Sequence, residues 1–158
     1  MTGGSRGHET FEHTADIGIR AWGSEFSELF EEAAKALFSV IVDLKTVKPA
    51  QLIHIELSTE KKGTGNTFCL SPFFNGNAEE LFLKWLKELL FLSETKHMFF
   101  SQFKILDLSP GKLVAEAEGE SVDAKKHIMG REVKAITRHQ FKLVHQNARY
   151  LAEIILDI

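Results

Sequence analysis

At 158 residues, with 44% hydrophobic and 26% charged side chains, the chain has the size and composition of one globular domain that buries a single core. A formal charge of -3 excludes the broad basic face on which sequence-independent nucleic-acid capture depends, so contact with RNA is expected only through a partner. Cys69 is the only cysteine, which rules out an internal disulfide and a thiolate metal cluster; no apolar run reaches the roughly 18–20 residues that span a bilayer, and Met1 to Gly7 lacks a signal-peptide core, so a cytoplasmic setting and no membrane contact are expected.

Residues 1–8, rich in Gly with Ser and Arg, read as a disordered tail ahead of one domain over 9–158. From Phe11 to Trp22, Ala15, Ile17, Ile19 and Ala21 fall at every second position, the pattern of one half-buried strand interrupted by His13, Thr14 and Asp16. Gly23-Ser24 breaks the alternation. Ser24 is the expected N-cap of a helix running to about Val40, with Glu25 and Glu28 in its first turn. Leu29, Phe30, Ala33, Leu37 and Ile41 form its apolar stripe, leaving Glu31, Glu32 and Lys35 on a polar side.

Ile53, Ile55 and Leu57 alternate with His54 and Glu56 as a second strand. Residues 58–77 read as a long loop or insertion around Phe68, Cys69, Leu70, Phe73 and Phe74. Asn77 and Glu80 stand as a capping box for a helix over Ala78 to Leu92, whose stripe is Leu81, Phe82, Trp85 and Leu89. A hairpin about Ser109-Pro110-Gly111 follows, joining Phe103 and Ile105 to Leu113, Ala115 and Ala117. Further strands are predicted at Val133 to Ile136, Phe141 to Val144 and Tyr150 to Leu156. Helices and strands do not alternate, so the fold class is α+β, two helices on an antiparallel or mixed sheet.

The sequence holds no glycine-rich phosphate loop, no paired-cysteine zinc spacing, no H-E-x-x-H and no G-x-S-x-G, so an enzyme acting alone is not expected. Of the histidines, His8, His54, His97 and His145 stand in separate polar contexts and read as ordinary surface or half-buried residues. Three stretches carry polar groups where a core pattern runs. Glu12 to Asp16 interrupts the first strand, where strand alternation places Asp16 with Glu12 and Thr14. Ile154-Ile155-Leu156-Asp157-Ile158 brings an aspartate and the α-carboxylate of Ile158 together at the end of an apolar strand; paired hard oxygens suit Ca²⁺ or Mg²⁺. His127 to His139 threads Glu132, Lys134, Thr137 and His139 through a strand, where Glu132 and Lys134 would share a face and form a surface ion pair.

Glu12-His13-Thr14-Ala15-Asp16-Ile17-Gly18-Ile19, Gly130-Arg131-Glu132-Val133-Lys134-Ala135-Ile136-Thr137-Arg138-His139 and Ile155-Leu156-Asp157-Ile158 resemble, in order and spacing, the three signature stretches of the archease family. The likeness extends to the helix after Gly23 and to Trp85 to Leu90, and runs from about Phe11 to Ile158. It implies an archease-like fold and an accessory role in tRNA splicing and RNA repair. The partner would be the ligase that joins RNA 3′-phosphate or 2′,3′-cyclic phosphate ends to 5′-hydroxyls, with promotion of its guanylylation and repeated turnover as the activity. The family pattern places Asp16, Asp157 and Ile158 in a metal site, Ca²⁺ first with Mg²⁺ or Mn²⁺ as alternatives, and Lys134 beside it. His13, Glu132 and His139 belong to the same motifs. A chaperone-like modulator of RNA-processing enzymes such as a tRNA methyltransferase is the rival reading. Two departures stand out: Thr137-Arg138-His139 replaces the family's Thr-Tyr-His, and Lys61 to Asn77 exceeds the family's usual length there.

Overall fold

The computed structural model describes residues 6–13, 15–59 and 76–158. Among them the elements run β1 (Gly7–His13), β2 (Asp16–Gly23), α1 (Phe26–Ile41), β3 (Gln51–Ser58), α2 (Gly76–Lys96), β4 (Met98–Ser109), β5 (Lys112–Ser121), β6 (Ala135–Ile136), β7 (Lys142–Gln146) and β8 (Arg149–Asp157), with a 3-10 turn at Leu44–Thr46. Two antiparallel sheets result. The larger has the order β1-β2-β8, with both β6 and β7 pairing along the far side of β8; the smaller is β3-β5-β4.

α1 touches β1, β2 and β8 of the large sheet and β4 of the small one, so it lies between them. Its position explains why its apolar stripe is wider than helical spacing alone requires: Phe26, Leu29, Phe30, Ala33, Ala34, Ala36, Leu37 and Phe38 are all buried. Trp85 of α2 is completely buried, and its indole N–H donates to the Phe30 carbonyl at 2.8 Å. One core cluster, in which Phe30 and Phe82 meet edge to face at 5.1 Å, takes side chains from both helices and both sheets.

Several expectations need correction. The single strand predicted over Phe11 to Trp22 is a hairpin, reversing between His13 and Asp16. Strand structure begins at Gly7, inside the expected disordered tail of residues 1–8, because Arg6 and His8 both bond to Glu32 on α1. That pairing also makes Glu32 5% exposed instead of solvated. The N-cap of α1 is Glu25, one residue beyond Ser24, and Glu28 Oε1 accepts from the backbone N–H groups of both. α2 starts at Gly76, which puts Asn77 inside the helix, and it continues to Lys96. Of the strand predicted at Val133 to Ile136 only Ala135–Ile136 pairs as a strand; Gly130 and Arg131 just before it bond to the end of α1, and Lys134 makes one backbone bond to Asp157. The loop over 58–77, with its phenylalanines and Cys69, lies mostly outside the described residues.

Candidate functional site

Opposite residues of an antiparallel pair share a face, so the register of the large sheet sorts its side chains. Ile19, Ala21, Ala152, Ile154 and Leu156 are buried toward the helices. The alternate residues form rows across the other face. The first contains Gly7, Trp22, Leu151 and Val144, and the second Glu9, Arg20, Glu153 and Lys142. The third contains Phe11, Gly18 and Ile155. The second row alternates in charge: Arg20 bonds Glu153 at 2.6 Å and also Glu9, while its guanidinium lies 4.7 Å from the centre of the Phe11 ring.

The last row is acidic. Asp16 stands opposite His13, and Asp157 opposite Ala135. Ile17 and Leu156 are the final registered pair of β2 and β8, so the same register carried one step further would set Asp16 across from Asp157. Opposite residues on adjacent strands hold their Cβ atoms about 4.5–5.5 Å apart, close enough for two carboxylates to address one cation. Asp157 also accepts, through its carbonyl, the backbone N–H of Lys134 at 2.7 Å, so Lys134 enters the same corner. Ile158 is half-buried, its side chain packed against the core beside this row.

These placements revise two details. Asp16 shares its row with His13; Glu12 registers with Ile17 and falls on the opposite face, because the hairpin turns where a continuous strand was expected. Thr14 lies outside the described residues. Glu132 and Lys134 form no ion pair. Residues 131–134 are not in a strand, and Glu132 lines a 220 Å³ cavity with Ser93, Glu94, His97 and Val133. His139, exposed, donates its backbone N–H to the Thr137 hydroxyl at 3.2 Å, and Arg138 is exposed. Asp16, Asp157 and Lys134 have no side-chain hydrogen bond or ion pair with another described residue.

The residues present fit a hard cation in part. Asp16 and Asp157 are carboxylates of the right kind, but among the described residues no group of three His, Cys, Asp or Glu side chains gathers around one point. A Ca²⁺ ion takes six to eight oxygens, so the remainder would have to come from main chain, water or another molecule.

Gly18, which carries no chemical signal in the sequence, shapes this face. A Cβ at that position would stand 2.2 Å from the Phe11 ring, so the ring rests directly on the glycine backbone. A glycine inside a strand pattern signals such close approach.

A family model for the archease protein family matches residues 8–65 and 72–158. The chain belongs to the archease family. The protein archease of Methanopyrus kandleri is 35% identical over 153 residues, covering 95% of this chain and 98% of that one. The archease of Pyrococcus furiosus is 36% identical over 154 residues, covering 95% and 97%. The solution structure of Methanobacterium thermoautotrophicum protein 1598 superimposes with a TM-score of 0.71 at 31% identity, covering 96% of this chain and 99% of that one. The crystal structure of an archease, possible chaperone, from Thermotoga maritima shares the fold, with a TM-score of 0.59 over 95% and 96% of the two chains at 18% identity. The match to the archease model breaks at residues 66–71, within the stretch read from the sequence as a long loop or insertion. No described helix is long and apolar enough to cross a membrane.

Proposed function

We propose that this archease activates the RNA ligase that joins 3′-phosphate or 2′,3′-cyclic phosphate ends to 5′-hydroxyls, by promoting guanylylation of that ligase. The observation that supports this most is the acidic row, in which Asp16 begins β2 and Asp157 ends the adjacent antiparallel strand β8. Two carboxylates without a counter-charge are a poor arrangement for stability, since like charges directly opposite repel. They are a good one for a divalent cation.

In this reading Asp16 and Asp157 hold the cation with Ile158 beside them, Ca²⁺ first and Mg²⁺ or Mn²⁺ as alternatives, and Lys134 is a cationic arm for phosphate. His13 registers with Asp16, and Glu132 and His139 belong to the same motif stretch as Lys134. An incomplete oxygen set matches a site finished by the partner. The acidic corner would enter the ligase active site and help position metal and nucleotide phosphates, and bond-making would remain with the ligase's own nucleophile.

Single-turnover guanylylation of the ligase, with and without the chain, tests this. The wild-type chain should raise the rate; Asp16→Asn, half-buried, and Asp157→Asn, exposed, should abolish the increase while each shifts stability by no more than about 0.5 kcal/mol, as near-isosteric changes outside the core do. Undiminished stimulation by both variants sinks the proposal.

A chaperone-like modulator of RNA-processing enzymes, a tRNA methyltransferase among them, is favoured by the exposed apolar side chains Ile128, Met129, Phe91 and Leu52. That activity would be indifferent to Asp16 and Asp157, so the same two variants separate the readings.

A further inference from the structure

Between β5 and β6 the chain crosses the end of the molecule as a strap, residues 122–134, without regular structure but heavily anchored. An α-helix leaves its last carbonyls unpaired. The strap pairs two of those of α1, the Gly130 N–H donating to Ile41 at 2.8 Å and the Arg131 N–H to Val40 at 2.7 Å. A Cβ at Gly130 would lie 2.2 Å from the Val40 carbonyl oxygen, so only glycine lets the strap sit this close. Met129 bridges Val42, and the Ile128 carbonyl accepts from Asp43 N–H at 2.8 Å.

The other end is locked by His127, whose ring is fully buried against Phe99. Its Nδ1 accepts from the Asp123 N–H at 3.0 Å, so the ring proton resides on Nε2 and is donated to Glu120 at 2.9 Å. Glu120 is held in turn by the Lys126 ammonium and the Lys48 backbone N–H.

On this fixed backbone the two largest apolar side chains point outward. Ile128 is 60% exposed and Met129 47%, and Val122, at the start of the strap, 39%. A 420 Å³ cavity lined by Val42, Leu44 and Gly130 opens beside the pair, and the 220 Å³ cavity lined by Phe99, Val122 and Val133 also borders the strap. Lys45 and Asp43 line the first cavity with the pair, and Lys125 and Arg131 flank it along the strap; the three cations are exposed and have no ion-pair partner among the described residues. The strap carries four Lys/Arg against two Asp/Glu, in a chain whose net charge is -3. An apolar centre with a charged rim on a pre-ordered backbone is the anatomy of a protein interface, because little side-chain and backbone freedom remains to be lost on binding.

We propose that Ile128 and Met129 are the docking knob of the archease, seating in an apolar groove rimmed by carboxylates on its partner enzyme. The proposal adds to the ligase reading and depends on it. The strap leads directly into the acidic row, since Lys134 N–H bonds to Asp157. A partner gripping the knob would therefore meet Asp16 and Asp157 in a fixed orientation. Two separable tasks follow: holding at the strap, activation at the row. Both side chains lie outside the core clusters, so their substitution probes binding with little expected effect on the fold.

The test measures Kd between the full chain and the purified ligase, together with binding of the chain to a 3′-phosphate RNA hairpin. Ile128→Ser with Met129→Ser should raise the Kd for ligase about tenfold or more, with an unchanged thermal midpoint. Lys125→Glu with Arg131→Glu should slow association and flatten its salt dependence. Asp16→Asn should leave Kd within about twofold yet lose stimulation. Ligase binding unchanged by the Ile128/Met129 pair overturns the docking knob while leaving the ligase reading intact; no binding by the wild-type chain overturns both. RNA affinity that falls with the charge reversals but ignores the apolar pair would assign the strap to nucleic acid and also overturn the proposal.

Discussion

Gly18 and Phe11 illustrate how a residue with no chemistry of its own shapes the acidic row. The Phe11 ring rests on Gly18, two pairs along the hairpin from Asp16 and His13, and Ile155 stands beside it with 3% exposure. Gly18→Ala places a methyl 2.2 Å from the ring. The ring or the hairpin must then move, at a cost of about 1–3 kcal/mol for overpacking. Urea unfolding should detect that loss, and Phe11→Ala in the Gly18→Ala background should recover less than the two single changes sum to, since the two sites are in contact. Strict additivity would show that the ring does not depend on the glycine. Leu156→Ala offers a second contrast. Leu156 is completely buried on the core face, so its truncation should cost about 2–5 kcal/mol, whereas the neighbouring Asp157→Asn on the outer face should cost almost nothing. Comparable costs would mean that the face assignment is wrong.

At the scale of elements, β1 is joined to α1 by charge as much as by packing. Glu32 receives Arg6 Nε at 2.7 Å and bonds His8 at 2.7 Å, with Lys35 at 3.5 Å. Burial pushes the Glu32 carboxyl up, but the His8 and Arg6 hydrogen bonds and the charges of Lys35 and Arg6 outweigh it and hold the group at about 2. A carboxyl whose folded pKa lies below its unfolded value stabilises the fold above the unfolded pKa, near 4.5, and the contribution disappears as pH falls toward 2. Glu32→Gln should therefore be less stable than wild type at pH 7 and approach it below pH 3. Denaturant titrations at pH 7, 4.5 and 3 check this; a gap independent of pH would remove ionisation as the cause. Glu31 extends the same link, accepting from Arg6 at 2.8 Å and from the Ile105 backbone at 2.9 Å, so this turn of α1 also blunts the edge of β4.

Across the whole molecule the two sheets are held by shared helices and one continuous core cluster. Neither sheet closes a core alone, so unfolding should be a single transition. Trp85 is fully buried in that core while Trp22 is half-buried on the outer face of the large sheet, with Arg149 5.5 Å from its ring. Fluorescence of a Trp22→Phe variant, which reports Trp85, should therefore share its midpoint with far-ultraviolet circular dichroism of the wild type. Separate midpoints would divide the molecule into independent layers.

Much of the architecture was legible in one dimension. Period-two alternation marked β2, β3 and the β4–β5 hairpin, and helical spacing identified the stripes of α1 and α2, because these patterns depend only on local geometry and on which face meets the core. The α+β class followed from element order. Asp16, Asp157 and Lys134 were found through motif resemblance, as was the archease family itself. Other features could not be read along the chain. The hairpin at His13 to Asp16 looked like an interrupted strand, since a reversal without Gly or Pro leaves no composition signal. The burial of Glu32 depended on Arg6 and His8 arriving from a segment that looked loose. The exposure of Ile128 and Met129 follows from backbone pairing of the strap with α1. The sequence by itself determined the secondary-structure periods, the composition of the core and the inventory of carboxylates. Only the tertiary structure decided which strands meet: antiparallel pairing of β2 with β8 brings the Asp16 end of one strand to the Asp157 end of the other, and that register is set by burying Ile19, Ala21, Ile154 and Leu156 against the helices, a constraint distributed over the whole core.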